Sequence, residues 1–448
     1  MQQISSGAAT VSGDFVRTLS TTSFEALPAA AVHAARRGVL DWLGCACAGS
    51  RHPTVENTLS LMRTLSGRSQ ASVIARSEKM GLLDAPMVNG QASHVLDYDD
   101  TYMVGTVLHS GSAILPALFA LAEHARCDGR SLLVSYVVGF EAAARVAHAT
   151  VDHHEQGWHP TGTLGAIGAS AACARLLNLD VQRFENAIGI AATQAAGLAI
   201  NRGTMCKSLH AGKAAAHGLF AALLAAQGFD SAEETLTRAG GFCETFGVRV
   251  ASEALVDGLG RDWAIEDNGH KPYPCAIGLH PIIEAMFELR PAVIGAIAHV
   301  ERIVLYLNPY VDRYRKNDKP ASSLEAKFSI PYSAAVALLD GIAGLAQYSD
   351  SRIADPAVSR LAHKVRIELD NAVQTDQARV RIQCGDREVS AVVEHASGGA
   401  ANPMTDAALE RKFVANTSQV LNESVARAHA QRIWNFDELN DAAQALIP

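Results

Sequence analysis

No Cys-x-x-Cys pair occurs in the 448 residues, although the chain carries eight cysteines, at 45, 47, 127, 173, 206, 243, 275 and 384. That absence excludes a zinc ribbon and an iron–sulfur cluster built on such pairs. Free thiols scattered through a large chain lead us to expect a reducing cytoplasm, and Cys45 and Cys47 read as buried thiols on an apolar segment. Aromatic residues make up only 6%, so Leu, Val, Ile and Ala must fill the core. Positive charge is outnumbered, for a formal net charge of -8, and no basic face of the kind nucleic-acid binders carry is present. Arg313, Arg315, Lys316 and Lys319 are interrupted by acids and Tyr314; they read first as a solvated loop and second as charge at a substrate gate. Residues 1–15 show no basic start followed by an apolar run, so no leader is expected. The apolar stretch 187–200 is broken by Thr193 and Gln194 and falls short of the roughly 18–20 residues of a membrane span. No G-x-x-x-x-G-K-[ST] phosphate loop is present.

What is present is helix, then a mixed region, then helix. Residues 28–48, 54–65, 83–97, 112–127, 131–149, 162–176, 181–199 and 207–227 repeat apolar residues at helical spacing. Asp180 is placed to cap the helix that follows it. After about residue 265 the pattern changes. Residues 298–307, 363–370, 378–384 and 387–395 read as strands, the last two joined by Gly385-Asp386, a two-residue hairpin signal. Residues 321–348 read as a helix between strands. Asn402-Pro403-Met404-Thr405-Asp406 ends this unit and caps a return to helix over 406–446. The expected fold is mainly α with a smaller α+β domain: a helical domain over 1–265, an α+β lid over 266–400, and C-terminal helices over 401–448 rejoining the first domain.

Four polar strings interrupt the apolar helices. Asn89 to Thr101 holds His94, Asp97, Asp99 and Asp100, and His109-Ser110-Gly111 follows. Three carboxylates in four positions are costly unless they bind donors, water or cations; a solvated helix end and an active-site rim compete evenly. Gly157-Trp158-His159-Pro160-Thr161 opens a small-residue helix whose first amides could face an anion. His153 and His154 read as exposed loop residues, and with His159 they match no metal-ligand spacing. In Gly203 to Lys213, Lys207 sits at a loop-to-helix junction where it could pair with a substrate carboxylate, whereas Lys213 reads as a snorkelling surface lysine. Lys271-Pro272-Tyr273-Pro274-Cys275 leads rigidly into a helix beginning near His280 and doubles as a hinge.

These strings, in this order, resemble the MmgE/PrpD family. The likeness rests on His94-Val-Leu-Asp97-Tyr-Asp-Asp-Thr101, Gly157-Trp-His159-Pro-Thr-Gly-Thr, Met205-Cys-Lys207-Ser-Leu-His210-Ala-Gly, Lys271-Pro-Tyr-Pro-Cys with His280-Pro281, Glu325-Ala-Lys-Phe-Ser-Ile-Pro-Tyr332, and Asn402-Pro-Met. It covers roughly residues 15–435. The resemblance implies a large helical domain with a smaller α+β lid, a homodimer, a pocket between the domains, and no metal or other cofactor. It implies a small di- or tricarboxylate substrate and a lyase of the 2-methylcitrate dehydratase or cis-aconitate decarboxylase kind. Two departures from the family pattern reshape the pocket wall: His109-Ser110-Gly111 stands where the family often has His-Pro-Ser, and the segment from Asp97 to His109 is slightly longer. They keep an isomerase of the iminodisuccinate epimerase type as the alternative, with a non-catalytic binding protein as a second.

By position, the implied site residues are Asp97, Thr101, His109, His159, Lys207, His280 and Tyr332. Chemistry beside a carboxylate builds carbanion-like charge, which needs a cation to absorb it and an acid/base group poised near neutral pH. Lys207 is expected to bind carboxylate, and His109 and His159 to move protons. Asp97 is expected to orient a histidine or hold a substrate hydroxyl. Thr101 is expected to contact substrate, and His280 and Tyr332 to close the site from the lid.

Overall fold

The computed structural model describes residues 10–446. Residues 1–9, part of the stretch read for a leader, and the side chains of Arg315 and Lys316 in the basic segment lie outside the described residues. The helical part runs through α1 (Val11–Thr21), α2 (Ala29–Gly49), α3 (Pro53–Leu65), α4 (Asp84–His94), α5 (Ser110–Ala125), α6 (Gly129–Ala149), α7 (Pro160–Leu176), α8 (Val181–Ala192), α9 (Met205–Ala226) and the short α10 (Phe242–Phe246). Asp180 caps α8 by accepting from the Arg183 amide, and Asp128 caps α6 through Ser131. One core cluster draws on residues 15–265 and then on 409–446 of α16 (Asp406–Thr417), α17 (Glu423–Trp434) and the tail. Lys412 of α16 locks that return: its ammonium donates to buried Asp41 of α2 at 2.6 Å and to the Tyr98 carbonyl at 2.6 Å.

A second core cluster spans residues 275–396. It contains α11 (His280–Val293), α12 (Ser323–Ala326), α13 (Ile330–Asp340), α14 (Asp350–Ile353) and α15 (Pro356–Ala362). Its sheet has the order β6-β5-β7-β8, from β5 (Val300–Leu307), β6 (Val365–Leu369), β7 (Ala378–Cys384) and β8 (Arg387–Val393). β5 and β6 are parallel, with Leu305 opposite Ile367; β7 runs antiparallel to both β5 and β8. The hairpin turns at Gly385, whose φ of 58° is the left-handed geometry such a turn requires. Two short ladders, β1–β2 (Ala71–Ser72, Lys79–Met80) and β3–β4 (Thr150–Val151, Arg249–Val250), trim the helical part.

Two expectations change. The single helix over 321–348 is broken into α12, α13 and a 3-10 turn, because Ser329 and Pro331 start a new helix and Gly341 ends it at a φ of 69°. The helix over 181–199 stops at Ala192. The apolar helix α6 has 21 residues. It alone among the described residues is long and apolar enough to cross a membrane, and it is almost wholly buried inside the protein.

The small residues of the sequence set how closely helices approach. α7 packs between α6 and α9, and α9 also packs against α4. A Cβ on Gly139 of α6 would meet the Gly168 carbonyl of α7 at 2.5 Å, and one on Gly90 of α4 would meet the Gly212 Cα of α9 at 2.8 Å. The second contact brings the end of α4 against the start of α9, which carries Lys207. Gly212→Ala would push a methyl to 2.0 Å from the Met87 carbonyl. We expect it to cost about 1–3 kcal/mol of stability by overpacking, read as a lower thermal midpoint. Gly67→Ala, with nothing within 4 Å, should be near neutral; equal behaviour of the two variants would contradict the packing argument.

Candidate active site

The chain leaves α4 through Asp97, which adopts a φ of 51°. A left-handed non-glycine residue costs about 1–2 kcal/mol, tolerated best by Asn and Asp. That turn carries the Asp97 carboxylate to two lysines from distant parts of the sequence. Lys271 forms a close ion pair with Asp97 Oδ1 and also donates to the Asp97 carbonyl at 3.2 Å. Lys207 lies 3.4 Å from the same Oδ1. The backbone delivers Lys271 there: Thr101 and Gly269 exchange both hydrogen bonds, at 2.8 and 3.1 Å. Burial would raise the Asp97 carboxyl, but Lys207 and Lys271 hold it well below the usual range. Burial lowers Lys207, partly offset by Asp97. The Lys207 ammonium makes no hydrogen bond among the described residues, and Asp97 Oδ2 has none either. Lys207 also stands over the Phe328 ring, 5.4 Å from its centre.

Beside this ion pair four imidazoles cluster. His94 and His109 have ring centres 4.7 Å apart, His94 and His159 5.7 Å, and His159 and His210 5.1 Å. Asp99 accepts from His94 Nδ1 and from the Ser112 hydroxyl, each at 2.7 Å. His109, the residue before α5, directs Nδ1 at the Asp100 carbonyl at 2.7 Å. A carbonyl only accepts, so Nδ1 carries the proton and Nε2 presents its lone pair. His159, the residue before α7, contacts His210 Nδ1 to Nδ1 at 2.9 Å, so one ring donates and the other accepts.

One cavity is lined by Asp97, His109, His154, His159, Arg202, Lys207 and Lys271, with Tyr310, Tyr314 and Phe328 as its apolar wall. A smaller adjoining chamber shares Asp97, Lys207 and Phe328 with it and adds His94, Thr204, Ser208 and Lys327. Burial pushes the Lys327 ammonium down to about 8, and it donates to the Pro274 carbonyl at 2.9 Å. His94, Asp99 and His109 put potential metal-ligand atoms within 4.8 Å of one another. His94 Nδ1 and Asp99 Oδ2 are hydrogen-bonded to each other and His109 Nδ1 to a carbonyl, and the buried ammoniums of Lys207 and Lys271 bear on these groups, so the set suits a proton-holding network better than a cation.

Four of the seven expected residues, Asp97, His109, His159 and Lys207, converge on the cavity, and three do not. Thr101 is turned away from it, its hydroxyl 3.2 Å from His109 Nδ1, so it backs the histidine. His280 is fully buried, edge-on to Tyr273. Tyr332 gives its hydroxyl to the Gln347 carbonyl and lines a different cavity, because α13 turns that face into the second core. Asp97 does not orient a histidine, since two lysines occupy it; Asp99 has that role. His153 and His154 are not exposed. β3–β4 pairing folds Arg249–Val250 back onto Thr150–Val151, and His153 is bonded to Thr163 at 2.7 Å and Phe246 at 3.0 Å. Lys271, Lys327, Arg202, Asp99 and His210 were not picked out as site residues, although Lys271, Asp99 and His210 sit inside the polar strings read above and Lys327 inside a string that carries the family resemblance.

Family models described as the MmgE/PrpD N-terminal domain and the MmgE/PrpD C-terminal domain match residues 13–250 and 273–438. Cis-aconitate decarboxylase of Aspergillus terreus (strain NIH 2624 / FGSC A1156) is 28% identical, covering 97% of this chain and 95% of its own. The human protein of the same name is 27% identical, covering 92% and 89%. The cis-aconitate decarboxylase-like protein oryM of Aspergillus oryzae is 28% identical, covering 94% and 93%.

Burial lowers both His109 and His159 well below 6.5; Lys207 is the next cause for His159 and a smaller one for His109. Both rings should therefore be neutral at pH 7 in ¹⁵N NMR spectra and titrate only in acid. Lys207→Met should raise both values, His159 more. A charged ring at pH 7, or no movement in the variant, would contradict this field.

Proposed function

Because the chain belongs to the MmgE/PrpD family, we propose that it is a lyase that decarboxylates a tricarboxylate-like substrate of the cis-aconitate type by acid–base chemistry. The observation that carries this reading is a buried ammonium without a hydrogen bond, Lys207, facing two neutral imidazoles across one cavity. Lys207 has only a share in Asp97, at 3.4 Å and without a hydrogen bond; an incompletely paired buried charge is costly, and a substrate carboxylate reduces that cost. The names of the curated relatives support the tricarboxylate class.

In cis-aconitate, the carboxylate on the methylene carbon leaves as carbon dioxide. The electron pair of that C–C bond forms a new C=C bond. The former alkene carbon next to the other terminal carboxylate then takes one proton. Negative charge builds toward that carboxylate in the transition state, and Lys207 stabilises it as a preorganised cation. A single proton donor is needed. His159 supplies it as an imidazolium, the form a bound polyanion favours: its Nδ1–H donates to His210 Nδ1 at 2.9 Å, its Nε2–H goes to the substrate carbon, and the neutral ring left behind takes a new proton from solvent once product leaves. His109, fixed with Nε2 as a lone pair, serves as the base in any step that removes a proton. No step requires a metal or organic cofactor. An isomerase reading draws on the same pair, His109 and His159, whose ring centres are 6.5 Å apart, because epimerisation needs one group to remove a proton and another to return it.

Lys207→Met should raise KM for cis-aconitate strongly, because a buried charge-assisted contact is worth about 2–5 kcal/mol. His159→Gln should spare binding and lower kcat by roughly 10²–10⁴-fold, both variants keeping near-native melting. Carbon dioxide release is the readout, and it should survive exhaustive chelation. A chelator-sensitive activity restored by one metal overturns the cofactor-free reading. Proton exchange without carbon dioxide release supports the isomerase instead.

A further inference from the structure

Not every cation around the cavity is equally engaged. Lys271 is bound to Asp97, Lys327 to the Pro274 carbonyl, and Arg313 to Glu155 at 2.9 Å while stacked 3.6 Å from the Tyr310 ring centre. Arg202 is different. It lines the cavity, is half-buried, and has no carboxylate at ion-pair distance among the described residues, Glu155 acting on it only from further away. Its guanidinium donates instead to His154 Nε2 at 2.8 Å. His154 Nδ1 lies 3.1 Å from the Trp158 carbonyl, so Nδ1 holds the proton and Nε2 accepts. A neutral imidazole therefore props the guanidinium over the cavity without neutralising it, and burial together with Arg202 keeps that imidazole neutral, pushed down to about 4.

Arg202 also stands five positions before Lys207, ahead of the first turn of α9. The two cations thus approach one cavity from either side of a helix start. Asp97 is the only carboxylate among the described residues that lines it, and it is shared between two lysines. The remaining positive charge suits more than one carboxylate, and guanidinium geometry favours a bidentate contact with one of them.

We propose that Arg202, held in place by His154, is the specificity-determining anchor for a second, remote carboxylate, so that the cavity selects tricarboxylates over dicarboxylates of the same skeleton. This rests on the polycarboxylate reading above and adds a residue and a selectivity to it. The geometry divides the work: Lys207 holds the carboxylate next to the reacting carbon, and Arg202 holds the far one.

The test is equilibrium binding by calorimetry, which requires no turnover. The probes are tricarballylate and methylsuccinate, its analogue with one carboxymethyl group replaced by methyl. The wild-type protein should bind tricarballylate more tightly. Arg202→Gln should raise the tricarballylate Kd by about 10- to 100-fold, the range for a hydrogen bond to a charged group. It should leave methylsuccinate within about 3-fold, and Arg202→Lys should fall between. His154→Phe should weaken tricarballylate binding in the wild-type background and change nothing further in Arg202→Gln, a coupling that mere surface charge does not produce. Unchanged tricarballylate binding in Arg202→Gln, or equal loss for both ligands, overturns the assignment while leaving the proposed activity standing. A wild-type protein that binds neither probe overturns both.

Discussion

Asp97 is asked to serve two lysines at once, and much of the site follows from that sharing. The residue lies where α4 unwinds, in a left-handed conformation, and one carboxylate oxygen meets Lys271 from the segment leading into the second core and Lys207 from the start of α9. One anion cannot satisfy two buried ammoniums. Lys271 takes the close contact, and Lys207 is left without a hydrogen bond. Opposite charges in a poorly solvated place interact strongly, and so do unbalanced ones. Burial first, and this positive field in addition, lower the His109 and His159 imidazoles, and the field makes the cavity suit anions although the whole chain carries a formal charge of -8.

The helical packing serves this arrangement. Glycine on both faces lets α4 lie against α9 closely enough for Asp97 to reach Lys207. His109 and His159 precede α5 and α7, and the His109 amide is tied to the Thr161 hydroxyl at 3.2 Å, so the two rings are held relative to each other by rigid elements and not by loops. Asp99 and the Asp100 carbonyl fix ring orientations from behind. A site that must present a lone pair at one ring and a proton at another needs such backing, because an imidazole free to rotate would present either.

Most helices were legible because their apolar period and caps agree, as at Asp180 and Thr405, and the hairpin at Gly385-Asp386 was legible from turn chemistry alone. The break of 321–348 at Ser329 and Pro331 was visible in composition but outweighed by the apolar run around it. Within the site, Lys207, His109 and His159 stood out as polar residues at helix starts. Which of Asp97 and Asp99 meets a lysine and which a histidine was not legible, since one left-handed residue decides it. The Lys271–Asp97 pair joins residues 174 positions apart, and nothing local announces such a contact. The burial of His153 has the same origin, in a ladder closed by residues 249–250. Tyr332 shows the converse limit: position in a motif says little about which way a helix turns its side chain.

The central claim is that this cavity breaks a C–C bond beside a carboxylate and delivers one proton from an imidazole. Incubation of the protein with cis-aconitate in deuterated water, followed by ¹H and ¹³C NMR, tests it most directly. The account predicts loss of carbon dioxide and a product with a single deuteron on the former alkene carbon next to the terminal carboxylate. Unaltered cis-aconitate, or a decarboxylated product without that deuteron, would contradict it.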